Sequence, residues 1–591
     1  MAHNSENSNR LNLIENGISS IYDIKKHFSV DSNVLVFSLP YLDNINALII
    51  SKDIAKHLSY NLYNYGGNTL FCFLGTSQVI SEIYVQLHET LHYQLSIAIK
   101  LFEPIDRDGY IPNNYANLLI LSKYKGSLKH TKTRIAYTYC PTCDKTTKDY
   151  GGKKHLYHSY GTLMSDVWRD ITYHPGAYPK DILERLSDLF GLQSYKNLIF
   201  YDFSRYQSGN YKSVIKDNQL SFIINNKVND SIINNSKLLN GDCLEHLKGI
   251  PESSVDFCFA DPPYNLSKKY DTWNDNLELD KYFNWCNNWI DELMRVLKPG
   301  RYLALLNIPL LSIRYYSHLI QKHTFVDWIV WESLSMPVRM IMPSHYTILV
   351  FSKGNPIKLP SLSNNEFTTL ESDAILTAKE DYCIRNTCID FRDKNSYSYK
   401  EPISNLWWDI HRIKHNTRRV DHPTQLPPRL MHRLITLFTN RNELVLDPFN
   451  GSGTTTLCAE QLNRKFIGIE KSTNYYELSL ERHTELRNGI NPFGKRDNSP
   501  KAKNSYVPRV KTQNYVISKK ELQLEIKNIF NKIGHLPSKE EVIKLSKYPI
   551  KYYEDYFLNW AEVCAAARTT GMQEMRIVKS DNNVDDQLEI F

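Results

Sequence analysis

A doubly wound α/β sheet present twice, followed by a small helical module, is what this sequence predicts, on three observations. First, apolar runs of strand type alternate with runs of helical spacing between Leu238 and Arg487. Second, the order of motifs in that stretch repeats an order already present in the first 209 residues. Third, the glycine-bearing run Asp447-Pro-Phe-Asn-Gly-Ser-Gly-Thr-Thr455 lies behind an apolar strand and ahead of a helix, the place where backbone can approach a nucleotide-like ligand.

In chain order, the second half offers strands at Asp256–Ala260, Tyr302–Leu306, Trp328–Trp331, Thr347–Phe351, Leu444–Leu446 and Phe466–Ile469, with a helix over Lys281–Leu297. The repeat is carried by short matches. His174-Pro-Gly-Ala-Tyr-Pro179 with the amphipathic run to Phe190 parallels His422-Pro-Thr-Gln-Leu-Pro427 with the run to Phe438, at constant spacing. Asp166-Val-Trp-Arg-Asp-Ile171 parallels Asn405-Leu-Trp-Trp-Asp-Ile410, and Pro112-Asn-Asn-Tyr115 parallels Pro343-Ser-His-Tyr346. Val34–Tyr41 takes the place of the strand that ends in Asp261-Pro262-Pro263-Tyr264. The expected organisation is a first copy over 1–209, a linker over 210–235, a second copy over 236–487 with an insert near 353–416, a linker over 488–510, a helical module over 511–577 and a tail over 578–591. In the module, Ser538 and Glu541 have capping-box spacing ahead of a helix.

Composition narrows the classes. At 42% hydrophobic the chain can bury large cores, and a net charge of +7 permits a nucleic-acid partner without requiring one. Ten cysteines in 591 residues are too sparse for a disulfide scaffold. Neither a signal-peptide pattern nor an apolar run of membrane-spanning length is present, so a cytoplasmic, DNA-associated location with no membrane partner is expected.

The tetrapeptide Asp261-Pro262-Pro263-Tyr264 and the glycine run Asp447–Thr455, in this order, resemble the β-class of S-adenosylmethionine-dependent DNA amino-methyltransferases. The resemblance covers about 236–487 and implies a Rossmann-like methyltransferase fold, double-stranded DNA as substrate and a restriction–modification context with a cognate endonuclease. The chemistry fits. An exocyclic base amine is a poor nucleophile because its lone pair is delocalised. Asp261 and the Pro262 carbonyl supply acceptors for its two hydrogens, favouring a tetrahedral nitrogen in the transition state. Pro262 and Pro263 stiffen that backbone, and Tyr264 offers a face for a base taken out of the stack. Asp-Pro-Pro-Tyr goes with adenine-N6 targets in this family more often than Ser-Pro-Pro-Tyr does, with cytosine-N4 the alternative. A DNA-binding pseudoenzyme is the reading from another class.

The resemblance places the cofactor among Asp447, Pro448, Phe449, Gly451, Gly453, Thr454 and Thr455. Glu470 would meet the ribose, Asp242 the adenine and Thr424 the methionine part; a leucine, Leu426, stands where the family commonly has lysine. Target recognition is expected in the insert, with Arg385, Arg392, Arg412, Lys414, Arg418 and Arg419 suited to phosphate or guanine contacts. The first copy looks inactive: Ser38-Leu-Pro-Tyr41 has lost the carboxylate, and Tyr201–Gly209, with bulky Arg205 and Tyr206, lacks the paired glycines. It is expected to stand in for the second subunit of a dimer, leaving the chain a monomer. The C-terminal module resembles the short helical repeat attached to homing endonucleases, which implies DNA binding. Cys140 and Cys143 with His155 and His158 have the residue types of a zinc site, the alternative being ordinary buried thiols; Cys383 and Cys388 occupy a comparable place in the second copy.

Overall fold

The computed structural model describes residues 12–16, 33–41, 45–61, 67–126, 128–131, 133–136, 139–140, 143, 145–146, 161–191, 195, 197–204, 236–265, 276–333, 344–363, 367–379, 385–395, 400–413, 425–493, 519–557, 560–565, 577–578 and 587–588.

Two large mixed sheets form. The eight-stranded one runs Lys237–Asn240, Lys465–Glu470, Leu444–Asp447, Val255–Ala260, Leu297–Asn307, His345–Ser352, Thr324–Glu332, Leu406–Trp407. Every neighbouring pair is parallel except those made by His345–Ser352, which is antiparallel to both neighbours. All six strands expected from apolar runs are present, each within a few residues of its expected ends, and the expected helix spans Leu279–Val296. Helices cover both faces, so the central strands are buried on both sides and read as continuous rather than alternating apolar runs.

The seven-stranded sheet of the first 204 residues runs Asn12–Asn16, Asn197–Asp202, Asn33–Ser38, Leu70–Gly75, Tyr110–Ser122, His92–Arg107, Val167–Tyr173. From its second strand onward the order and directions match the larger sheet from Leu444–Asp447 onward, with Tyr110–Ser122 as the antiparallel member. Side-chain detail matches too. Trp168 Nε1 donates to the Ser165 carbonyl as Trp407 Nε1 does to that of Ser404. Arg185 pairs with Asp170 and lies over Trp168, as Arg433 pairs with Asp409 and lies over Trp407. The sheets differ at one edge. Beside Leu444–Asp447 stands Lys465–Glu470, which follows it in sequence and ends in an acid; beside Asn197–Asp202 stands Asn12–Asn16, which precedes it by far in sequence.

The two units touch through matched elements. Helix Ser77–Leu87 packs on helix Pro309–Leu319, where Tyr316 donates to Glu82 across 2.8 Å. Asp166 Oδ1 accepts from the Ser344 N–H and hydroxyl at 2.8 and 2.7 Å. Its counterpart Asn405 accepts from the Asn114 N–H at 2.9 Å and donates to Asn113 at 2.9 Å. Since Asp166 corresponds to Asn405 and Asn113 to Ser344 in the repeat, each unit presents the same patch to the other, as in a two-fold dimer interface. Arg107–Asp327 and Arg169–Glu332 add ion pairs across it.

The C-terminal residues form helices Lys519–Ile533, Lys539–Leu545, Ile550–Tyr556 and Trp560–Ala565 around Leu522, Ile526, Val542 and Tyr553. The capping box of Ser538 and Glu541 is formed, and a short strand pair, Ile577–Val578 with Gln587–Leu588, follows. Among the described residues no helix is long and apolar enough to cross a membrane.

Asp409 and Arg433 are both fully buried, and the guanidinium also holds the carbonyls of Ala374 and Leu376. Asp409→Ala strands that cation, and unfolding of the unit carrying it in urea should be easier by about 3–5 kcal/mol. An unchanged midpoint would show that water reaches the pair.

Candidate functional site

The site lies where neighbouring strands leave for opposite sides of the eight-stranded sheet, between Val255–Ala260 and Leu444–Asp447. Crevices of this kind open at the carboxyl ends of the strands. Asp261 follows the first strand, Asp447 ends the second, and Glu470 ends the next one out.

Asp447 begins the glycine loop. Its Oδ1 accepts from the Phe449 N–H at 2.9 Å, an Asx turn that swings the chain off the strand. Gly451 and Gly453 adopt φ of 52° and 85°, conformations that favour glycine. Gly453 is constrained by space as well: a Cβ there would come 2.3 Å from Ser479 Oγ. Its requirement for glycine therefore arises on the side facing helix Thr473–Arg487 as well as from any bound group. Thr454 and Thr455 open helix Thr454–Gln461, and Phe449 packs on Trp285 and Trp289. Pro448 is buried at the turn.

Burial, with a smaller contribution from the neighbouring Asp261 and Glu470 carboxylates, pushes the Asp447 carboxyl up to about 7 against the Thr455 and Phe449 hydrogen bonds. Glu470 is held by two backbone donors, Gly451 N–H at 2.8 Å and Ser472 N–H at 2.7 Å. Three acids thus converge on one loop. Asp242, at the end of the adjoining strand, caps helix Cys243–Lys248 through the Leu244 N–H and pairs with Lys471 at 3.1 Å; its side chain is already engaged in holding the edge of the site. Thr424, His422, Lys414, Arg418 and Arg419 lie outside the described residues.

In the tetrapeptide, the Tyr264 hydroxyl donates to Asp261 Oδ1 at 2.8 Å. The Pro263 carbonyl accepts from Tyr282 at 2.8 Å, and Tyr282 continues to Tyr315 and Asn307. This buried chain fixes the turn from behind. Tyr346 stands 6.1 Å from Tyr264, ring to ring, with Trp331 on one side at 5.6 Å and the Arg412 guanidinium over it at 5.3 Å. Tyr346 lies within the field of Asp261. Asp261 thus opens beside an aromatic wall with one cation on it.

Several of these groups were not singled out as site residues from the sequence: Tyr282, Tyr315 and Asn307 behind the tetrapeptide, Tyr346 and Trp331 beside it, and Arg482 behind the loop. Arg482 is wholly buried and donates to the Ser452 carbonyl and, at 3.4 and 3.3 Å, to that of Pro492. Asn450, Thr456 and His483 complete the support. The sequence carried no signal for Arg482, because helix Thr473–Arg487 has no apolar stripe to show which face is buried. Two insert arginines are placed differently from the expectation of phosphate contact: Arg392 is buried, and Arg385 is turned to the Cys143 thiol at 3.5 Å.

In the first unit Ser38 bonds Tyr173 at 3.2 Å. Phe203, just past the strand corresponding to Leu444–Asp447, stacks with Phe37 and Tyr201. Asp202 keeps the Asx turn, onto Ser204 N–H; Arg205, Tyr206 and the rest of that loop to Gly209 lie outside the described residues.

The DNA methylase family, N6_N4_Mtase, matches residues 255–481. The chain is 33% identical to the DNA adenine methyltransferase YhdJ of Escherichia coli K12, over 42% of this chain and 81% of that protein. It is 33% identical to the type II methyltransferase M.HpaI of Haemophilus parainfluenzae, over 44% of this chain and 78% of the relative. The chain belongs to the N6/N4 DNA methylase family. Type II methyltransferase M.BamHI of Bacillus amyloliquefaciens is 36% identical over 40% of this chain, which spans 54% of that relative's length. Among solved structures, the cytosine-N4-specific PvuII DNA methyltransferase is similar at 20% identity and a TM-score of 0.32, covering 43% of this chain and 92% of the other.

Proposed function

We propose that this chain is a site-specific DNA adenine-N6 methyltransferase that uses S-adenosylmethionine, the modification partner of a restriction endonuclease. The observation that carries the reading is the convergence of Asp447, Asp261 and Glu470 on the glycine loop. A carboxyl raised to about 7 by burial, with its acidic neighbours adding to the rise, suits a cationic ligand, which restores its ionised form. S-adenosylmethionine supplies an electrophilic methyl on positively charged sulfur together with an α-ammonium group. The loop from Asp447 to Thr455 would hold it, with Glu470 toward the ribose and the Asp242 edge beyond.

Asp261 and the Pro262 carbonyl accept the two amine hydrogens of the target base, drawing the nitrogen toward tetrahedral geometry. Tyr282 fixes the adjoining Pro263 carbonyl, so this arrangement is set before the base arrives. Tyr264 and Tyr346 provide ring faces for an extruded base, and Arg412 a positive charge for its phosphate or ring. Adenine is favoured by Asp261 at the head of the tetrapeptide and by the named activity of one relative, the adenine methyltransferase YhdJ. Cytosine-N4 is the second reading, favoured by the cytosine-specific enzymes within the same family resemblance.

Asp261→Ala should abolish methyl transfer, with loss of at least a thousandfold, while cofactor affinity by calorimetry stays within a few-fold. Retained turnover would remove Asp261 from the chemistry. Nucleoside mass spectrometry of modified DNA should show N6-methyladenine; N4-methylcytosine would select the second reading.

Cofactor affinity should also depend on pH. The cation prefers ionised Asp447, so affinity is full above the free-protein value of about 7. It falls as pH drops through that value, by up to about tenfold per unit. Asp447→Asn should flatten that dependence, and a wild-type profile already flat from pH 8 to 5.5 would remove Asp447 from cation binding.

The matched interface supports a further part of the reading: the first unit takes the place of a second subunit. Its lost carboxylate at Ser38 and the absence, among the described residues, of a strand like Lys465–Glu470 beside Asn197–Asp202 suit a gripping role over a catalytic one. Sedimentation should give the mass of one chain, free and with one chain per duplex site. An obligate dimer of full-length chains would overturn this.

A further inference from the structure

We propose that Cys140, Cys143 and Cys388 are ligands of a structural zinc ion that fastens the insert of the second unit to the first unit. Their Sγ atoms all lie within 4.8 Å of one another, and those of Cys140 and Cys388 are 3.7 Å apart. Thiolates at a Zn–S distance of ~2.3 Å around a tetrahedral ion stand about 3.8 Å from each other; the Cys140–Cys388 pair has that spacing, and the third sulfur is near enough to close on the same ion. The Cys140–Cys388 separation is far longer than the ~2.05 Å of a disulfide.

The local structure on each side suits a thiolate ligand. Cys140 ends one strand of the short pair Tyr139–Cys140 with Lys145–Thr146, and Cys143 lies in the connection between them. A Cys-x2-Cys on a tight hairpin turn aims both sulfurs to one side. Cys388 lies in the first turn of helix Asn386–Lys394, where the helix dipole favours a thiolate. Arg385 directs Nη1 to Cys143 Sγ at 3.5 Å. Three thiolates around Zn²⁺ leave one net negative charge, which this guanidinium offsets. Cys388 is fully buried and Cys140 nearly so, and an all-sulfur set in such surroundings selects zinc over calcium or magnesium.

The sequence expectation placed His155 and His158 with Cys140 and Cys143; both histidines lie outside the described residues, as does Cys383. What the fold adds is Cys388, from the other unit. The inference does not rest on the methyltransferase reading. It gives the insert an attachment to the first unit apart from the matched interface.

The test is metal content. Protein purified without chelator should carry about one zinc per chain by elemental mass spectrometry. Cobalt substituted for it should give an intense thiolate-to-metal charge-transfer band. Cys388→Ser and Cys140→Ser should each weaken zinc binding at least tenfold and diminish the cobalt band. Should those variants fail to fold, chelator titration of the wild type followed by limited proteolysis reads the same site: zinc removal should open cleavage in 379–400. Wild-type protein without zinc or a cobalt band, full zinc in the folded cysteine variants, or a Cys140–Cys388 disulfide in place of metal would each overturn the proposal.

Discussion

A buried carboxyl at the end of a central strand is the constraint from which the rest of the catalytic unit follows. Asp447 is 2% exposed and shares its surroundings with two other acids. A protein interior tolerates such a cluster only where something positive is brought to it or a proton is retained. The hydrogen bonds that hold Asp447 come from neutral groups, the Phe449 N–H and Thr455. Arg482, the nearest buried cation on the loop, donates to carbonyls on the far side. That buried cation is thus spent on holding backbone.

The same division recurs at the tetrapeptide. Asp261 faces outward to Tyr264 and the aromatic wall, whereas the polar groups behind it, Tyr282, Tyr315 and Asn307, bond one another. Such closed networks keep a reactive turn rigid without competing for its outward acceptors. Both halves of the site are built this way, from opposite faces of the sheet.

Much of this was legible in the sequence, for definite reasons. Strands buried on both faces leave continuous apolar runs, so Val255–Ala260 and Leu444–Asp447 were visible, and a φ-positive turn leaves glycine, so the loop was visible. The matched sequence stretches include Trp168, Asp170 and Arg185, a packed trio whose contacts Trp407, Asp409 and Arg433 also make. What could not be read was proximity across long separations. Tyr346 looks like any strand tyrosine until the antiparallel strand brings it beside Tyr264. Cys388 lies 245 residues from Cys143 in sequence, and Arg392 and Arg385 read as surface cations until burial and the Cys143 contact remove them from that role.

The reciprocal contacts of Asp166 with Ser344 and Asn405 with Asn113 are polar, and polar contacts of this sort contribute little net affinity between separate molecules. Within one chain they need not contribute much. Two units joined by a linker face each other at an effective concentration on the order of millimolar, so docking does not weaken when the protein is scarce. Even a patch too weak to assemble two separate subunits would be adequate in such an arrangement. Either half is then free to lose residues that a symmetric assembly would have had to keep in both.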